Sequence, residues 1–175
     1  MRKALFLDRD GVINRDLNYV YKKEDFYFID GIFDFVRIFA EKGFEIFVVT
    51  NQSGIARGFY KEEDFQKIKR YMENYFWKEG IEITKTYHCP CHPDFSETCE
   101  CRKPKPTMLL EAEKEFNIDL SKSIFVGDSE TDILAGQSAG VQTFLFSEHN
   151  LERTFQKILD SYNSQFKPYP PFSFK

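Results

Sequence analysis

Residues 3–10 read KALFLDRD, and this stretch decides the fold. A short, mostly apolar run stops abruptly at charge, which predicts a buried strand over residues 3–7. Asp8 and Asp10 follow two apart. In extended backbone, residues i and i+2 point the same way, so both carboxylates are expected to face the space beyond the strand end. Two like charges that close are costly unless a cation or a proton lies between them. A hard divalent ion with oxygen ligands, Mg²⁺, is the natural partner. Asp128, at the end of another expected strand, would complete the ion site. Taken alone, Asp-Arg-Asp-Gly is also a turn-like string, so the tetrapeptide reads equally as a surface turn.

Outward from this stretch, elements alternate. Residues 8–31 show no period and read as a long functional loop. Residues 32–42 read as a helix, with Ile32, Phe35, Val36 and Phe39 on one face and Gly43 just past its end. A second strand is expected over 44–49, a loop over 50–60 and an amphipathic helix over 61–79, followed by a third strand over 83–87. Residues 88–106, with four cysteines and repeated prolines, cannot be regular structure. Then follow a helix over 106–116 with proline in its first turn, a strand over 123–126, a helix over 130–139, a strand over 141–146 and a helix over 151–162. Strand–helix alternation predicts an α/β fold: a Rossmann-like parallel sheet with helices on both faces. In such sheets a ligand sits beyond the carboxyl ends of the strands. DRD (8–10), TNQSG (50–54) and GDSETD (127–132) all fall there. One domain is expected over residues 1–165. The aromatic and proline-rich tail, 166–175, is expected to be an arm packed on the body or a partner contact.

The whole chain has 175 residues, 42% hydrophobic and 30% charged, which suits one full core and excludes a disordered or fibrous chain. Its net charge of −4 provides no overall basic field, so nucleic acid is not an expected partner. No run approaches the ~20 apolar residues of a membrane span. Only four apolar residues, Ala4–Leu7, run between Lys3 and Asp8, so the start does not read as a secretion signal. The expected compartment is the cytoplasm, where thiols stay reduced and clustered cysteines favour metal over disulfides.

Other strand ends carry complementary chemistry. Thr50 and Asn51 offer a hydroxyl and an amide to a phosphoryl oxygen, and Arg102 and Lys103 offer two cations. Donors, cations and a metal around a carboxylate form an electrostatic clamp for phosphoryl transfer. Neither GxxxxGK[ST] nor GxGxxG occurs, so neither a P-loop nor a dinucleotide site is supported.

Together these residues resemble the haloacid-dehalogenase-like phosphohydrolase superfamily. FLDRDGVIN (6–14) is similar to its first motif, VVTNQSG (48–54) to its second, the lysine of CRKPKP (101–106) to its third and VGDSETD (126–132) to its fourth. Within it, NYVYKKEDFYFIDG (18–31), TNQSGIARGFY (50–60) and the cysteine loop resemble the D-glycero-D-manno-heptose 1,7-bisphosphate phosphatases. The resemblance implies a capless core whose loops choose the substrate. It implies that Asp8 attacks phosphorus to form an aspartyl-phosphate and that Asp10 serves as acid and then base. Mg²⁺ would be held by Asp8, Asp128 and the backbone carbonyl of Asp10, and the phosphoryl group by Thr50 and Lys103. Arg102 is similar to a substrate-recognition residue, and Arg9, Asp16, Tyr19, Asn51, Gln52 and Ser53 would line the substrate site. The implied partner is a small sugar phosphate: a heptose bisphosphate losing its 7-phosphate on the route to nucleotide-activated heptose for lipopolysaccharide or other surface polysaccharide. A monomer is expected.

Cys89-Pro-Cys91 and Cys99-Glu-Cys101 form two CxC pairs, and four thiolates suit a structural, tetrahedral Zn²⁺. The zinc loop is expected over 88–103, with free or disulfide-linked cysteines as the alternative. The family usually has histidine where Cys91 stands; Cys91 keeps the register, and His92 is the competing ligand. His88 and His149 read as ordinary polar residues. Ser129 stands where many relatives have a basic residue, and the loop between the cysteine pairs is short, nearer to the sister histidinol-phosphate phosphatases. Asp132 reads equally as an outer support for the metal or as a first-turn helix residue. The competing functions are a phosphatase for histidinol phosphate or another sugar phosphate, and a non-enzymatic zinc-stabilised binding module.

Overall fold

The computed structural model describes residues 1–146 and 151–166. Its strands are β1 (Lys3–Leu7), β2 (Phe44–Asn51), β3 (Ile83–Cys89), β4 (Ile124–Gly127) and β5 (Gln142–Leu145). All pair in parallel in one sheet of order β3-β2-β1-β4-β5, with Leu7 opposite Val48 on one side and Val126 on the other. The helices are α1 (Ile32–Glu41), α2 (Glu62–Lys78), α3 (Thr107–Phe116), α4 (Glu130–Ala139) and α5 (Leu151–Phe166).

The near-continuous apolar character of the central strands follows from burial on both faces. Leu5 and Leu7 of β1, Ile46 and Val48 of β2, and Ile124 and Val126 of β4 face one core, together with Ile32, Phe35 and Phe39 of α1, Phe65 and Phe76 of α2, and Phe155 of α5. Ala4, Phe6, Phe47, Val49 and Phe125 alternate with them and face a second core with Met108 and Leu109 of α3 and Ala135 of α4. Aromatic pairs reinforce each layer: Phe35 of α1 stacks on Phe155 of α5 at 4.1 Å, and Phe6 of β1 on Phe47 of β2 at 5.3 Å. Phe6→Ala would leave a hole beneath the central strand and cost about 3–5 kcal/mol. The chain order reverses beside β1, so the tips of β1, β2 and β4 converge on the crevice where such sheets bind ligands.

The expected α/β architecture is observed, and the differences lie at its edges. Thr50 and Asn51, expected in a loop, are the last residues of β2, and Cys89 ends β3. The 8–31 segment is less irregular than its sequence suggests. It buries Val12, Ile13, Val20, Phe26 and Ile29, and Asn14 bridges Phe28. Helix α5 reaches Phe166, the residue expected to open the C-terminal arm. The rest of that arm and His149 lie outside the described residues. Among the described residues, no helix is long and apolar enough to cross a membrane.

Candidate active site

A cavity of about 250 Å³ opens over the strand tips, lined by Asp8, Asp10, Asp16, Tyr19, Thr50, Asn51, Gln52, Ser53, Lys103, Asp128 and Ser129. The parallel ladder fixes its floor. The Asp8 amide continues it by donating to the Val126 carbonyl at 2.9 Å. The Asp8 carboxylate lies 2.9 Å from Lys103 Nζ and also accepts from the Arg9 amide at 2.6 Å. Lys103 is only 3% exposed. Its backbone is clamped to the end of β2, donating to Asn51 Oδ1 at 3.1 Å and accepting from Asn51 Nδ2 at 3.2 Å. Its ammonium donates to the Val49 carbonyl at 2.9 Å and meets Asp132 Oδ1 at 2.6 Å.

Asp132 is fully buried and holds Lys103 with one oxygen. Its other oxygen accepts from Ser129 Oγ at 2.6 Å and from the Ser129 amide at 3.1 Å, completing a capping box at the start of α4. Asp132 is therefore a first-turn helix residue, as one expectation had it, and also a partner of Lys103. The spacing Ser129-x-x-Asp132 signals the cap; the ion pair has no sequence signal. Gly127 allows this approach, because a Cβ there would lie 2.2 Å from that of Asp132.

Burial, chiefly, pushes Asp8 up to about 7, against the pull of Lys103 and with the charges of Asp132 and Asp128 adding. Asp128 is pushed up to about 6, first by burial and then by Asp132. Burial pulls Lys103 down, but Asp8 and Asp132 outweigh it and leave its proton held above the usual lysine range. Ligand oxygens of Asp8, Asp128 and Asp132 lie within 4.8 Å of one another. Three carboxylates thus face one ammonium. The two with raised proton affinity are oxygen donors open to the cavity, and this uncompensated charge fits a hard divalent cation. Gly11 makes room for the set: it has φ +82°, and a Cβ there would strike the Asp128 carboxylate.

The Asp10 carboxylate sits elsewhere. Arg9 donates to it from Nε and Nη2, the latter at 2.7 Å, while Asn14 and Gln52 donate at 2.9 and 3.0 Å. The expectation of a cation shared by the Asp8 and Asp10 side chains is corrected: a guanidinium neutralises Asp10. Arg9 is corrected with it. Far from lining the substrate site, it is 1% exposed, bonded to the Val20 carbonyl at 2.7 Å and packed near Phe26 and Phe65. Gln52 relays this order. Its amide NH₂ reaches Asp10 and Thr50 Oγ1, and its carbonyl accepts from Tyr60 at 2.6 Å. Burial raises Tyr60 to about 12, which keeps it a donor. Asn14 and Tyr60 were not expected at the site; both come from segments whose sequence shows no period.

On the rim, Asn18 and Tyr19 both have left-handed backbone, with φ of 59° and 56°. That conformation is costly away from glycine, and an Asp16 side chain accepting from the Asn18 amide at 2.9 Å supports it. Tyr19 packs edge-on to Phe59 at 4.6 Å. Arg102, expected to touch substrate, does not line the cavity floor. Burial, and then the charge of Arg57, lower its proton affinity.

The four cysteine sulfurs lie within 4.8 Å of one another. The structure pairs Cys89 with Cys101 and Cys91 with Cys99 as disulfides, where a zinc cluster was expected. Across the pairs, sulfurs approach to 3.3, 3.9 and 3.7 Å. A tetrahedron of Zn–S bonds of about 2.3 Å spaces its sulfurs by about 3.8 Å. The donor set thus fits Zn²⁺ when reduced. His92 is outside the set and bonds Arg57 at 2.8 Å.

The haloacid dehalogenase-like hydrolase family model matches residues 2–140. The chain is 54% identical over 154 residues to the D-glycero-alpha-D-manno-heptose-1,7-bisphosphate 7-phosphatase of Campylobacter jejuni, covering 87% of each chain. It is 44% identical over 153 residues to the D-glycero-beta-D-manno-heptose-1,7-bisphosphate 7-phosphatase of Helicobacter pylori, again with 87% of each covered. The structure of D,D-heptose 1,7-bisphosphate phosphatase from B. bronchiseptica, complexed with magnesium and phosphate, superposes with a TM-score of 0.75 at 30% identity, over 82% of this chain and 79% of that one. The chain belongs to the heptose 1,7-bisphosphate 7-phosphatase family of haloacid dehalogenase-like hydrolases.

Proposed function

We propose that this phosphatase removes the 7-phosphate of a D-glycero-D-manno-heptose 1,7-bisphosphate through an aspartyl-phosphate on Asp8, on the way to activated heptose for surface polysaccharide. The observation that carries the reading is the buried Asp8–Lys103–Asp132 cluster at the tip of the central strand, with Asp10 held apart beside it. Asp8 is the nucleophile. As its oxygen bonds to phosphorus, the bond from phosphorus to the sugar oxygen breaks, and Asp10, entering this step as the carboxylic acid, gives that oxygen its proton. Water then attacks phosphorus, the bond to Asp8 breaks, and the proton from water returns to Asp10. Lys103 and Thr50 hold the phosphoryl oxygens. Asn51 and Asp132 fix where the Lys103 ammonium sits, so that its charge is preorganised for the transition state.

Asp8 and Asp128 are the side chains that would hold Mg²⁺, which supplies charge neutralisation for the phosphoryl group. The cysteine set holds Zn²⁺ in a reducing compartment, the cytoplasm, and the metal acts on loop order rather than chemistry. The enzyme works as a monomer. The sheet tips supply the reaction, while the loops carrying Asp16, Tyr19, Ser53 and Arg102 choose the sugar. Relatives named for the alpha and the beta anomer both match, so the test carries both. Ser129, with no charge to offer, gives histidinol phosphate a place in the same panel. The expected result is Mg²⁺-dependent phosphate release with kcat/KM highest on one heptose bisphosphate anomer. A preference for histidinol phosphate would end the heptose reading.

A further inference from the structure

Tyr60 lies near the end of the loop between β2 and α2, and nothing in the chemistry above uses it. That loop folds back on itself: the Phe59 amide donates to the Gly54 carbonyl at 2.9 Å and the Gly58 amide to the Ile55 carbonyl at 3.0 Å. The return lays the Tyr60 ring against Gly54, where a Cβ would lie 2.2 Å from Tyr60 Cε1, and stacks the ring on Tyr21 at 5.0 Å. Tyr60 is buried, and its hydroxyl donates to Gln52 Oε1 at 2.6 Å. Gln52 is buried too, with its backbone amide pinned to the Cys89 carbonyl at 2.7 Å.

Both N–H hydrogens of the Gln52 side chain are committed, one to Asp10 Oδ2 at 3.0 Å and one to Thr50 Oγ1 at 2.9 Å. Hydrogen-bond polarity fixes that orientation. The opposite one would aim a carbonyl oxygen at the Asp10 carboxylate, which only accepts when ionised. The Gln52 carbonyl therefore faces Tyr60, whose hydroxyl donates to it. Thr50 accepts from Gln52 and so keeps its own hydrogen to give to a phosphoryl oxygen. Gln52, expected to line the substrate site, has no N–H left to offer a substrate; it acts through Asp10 and Thr50.

We propose that Tyr60 is a positioning residue for the acid–base step: by fixing the Gln52 amide, it orients the Asp10 carboxyl and the Thr50 hydroxyl together. This rests on the reading of Asp10 as the acid that protonates the leaving oxygen. The Tyr60–Gln52 pair then joins the group that serves the leaving oxygen to the group that holds the phosphoryl oxygens, without itself touching either.

The test compares kcat/KM on two esters, because that ratio covers the steps up to departure of the leaving group. The heptose bisphosphate releases a sugar oxygen that needs a proton; p-nitrophenyl phosphate releases a phenolate that does not. Tyr60→Phe removes one oxygen and keeps the ring. It is expected to lower kcat/KM by roughly 3–10-fold more on the bisphosphate than on p-nitrophenyl phosphate, the range for one hydrogen bond. Gln52→Met keeps the length of the side chain but not its amide, and is expected to give a larger loss with the same preference. Adding Tyr60→Phe to Gln52→Met is expected to cost less than about twofold further, because the two act as one unit. Equal losses on both esters from Tyr60→Phe, no loss on either, or an undiminished cost in the Gln52→Met background would overturn the proposal. Asp10→Asn distinguishes that failure from failure of the acid reading. It is expected to spare p-nitrophenyl phosphate by a larger factor than Tyr60→Phe does, and equal losses from Asp10→Asn on both esters would overturn the acid reading itself.

Discussion

Asp8 and Asp10 stand two residues apart at the tip of one strand, and their surroundings differ in kind. Asp8 belongs to a cluster in which Asp8 and Asp132 pair with a single ammonium, that of Lys103, and Asp128 brings a third carboxylate beside them. Asp10 belongs to a cluster that balances itself, with the Arg9 guanidinium on one side and the amides of Asn14 and Gln52 around it. The first region is buried and carries surplus negative charge, and burial first, then that charge, raises the proton affinities of Asp8 and Asp128; the second carries no surplus. Under the proposed mechanism, a single short sequence motif delivers one carboxylate for a cation and phosphorus, and one held by hydrogen bonds for the leaving group.

The sharpest way to break this comparison is to neutralise each member. Asp8→Asn is expected to lower kcat by at least about 10⁴-fold, as loss of a nucleophile does. Asp10→Asn is expected to cost about 10²–10⁴-fold, the range for a general acid–base group. Circular dichroism checks that both remain folded. If Asp8→Asn kept most of its turnover, the division of roles would be wrong.

Removing the supports separates the regions next. Asp132→Ala strips a fully buried partner from Lys103 and is expected to cost about 3–5 kcal/mol in denaturant unfolding, along with most activity. Arg9→Leu removes the charge that holds Asp10. It is expected to lower kcat yet leave the thermal shift produced by Mg²⁺ intact, since the Asp10 side chain is not in the cation cluster. A lost Mg²⁺ shift in that variant would merge the two regions.

The pH dependence distinguishes them more finely. Asp8 and Asp128 are raised from the ordinary value of 3.8 to about 7 and about 6, chiefly by burial. Without a cation, the folded protein retains protons that the unfolded chain has released. The stability this pair contributes is fully present below the unfolded value and is lost as pH rises through the raised values. A cation competes with those protons, so Mg²⁺ is expected to raise Tm more at pH 8 than at pH 5, read by calorimetry. A Mg²⁺ shift independent of pH would contradict the surplus-charge account. The smallest effect belongs to the cysteine loop, far from both carboxylates in role. Protein purified under reducing conditions is expected to carry zinc by elemental analysis, and stripping it with a zinc-selective chelator, with excess Mg²⁺ in the assay, is expected to lower Tm and raise KM more than it lowers kcat.

Much of this site was legible in the residues. The runs of β1, β2 and β4 end in Asp8, Thr50-Asn51 and Asp128, and a parallel sheet places such ends together whatever the loops do. What was not legible depends on long-range packing without a period. The resemblance puts Arg9 at the substrate site, yet it turns inward to Phe26 and Phe65 because the 8–31 segment folds over it. The Asp132–Lys103 pair joins residues on α4 and in the cysteine loop, and the Arg57–His92 contact joins two loops; no spacing announces either. The cysteines were legible as a cluster, while the structure draws them as two disulfides within a set that also fits a tetrahedral metal.

The central claim is that phosphorus passes through a bond to the Asp8 carboxylate before water receives it. Its most direct test is the stereochemical course at a phosphorus made chiral by oxygen isotopes. Two successive in-line displacements are expected to give net retention in the released phosphate. Inversion would mean that water attacks the substrate directly, and would contradict the role assigned to Asp8.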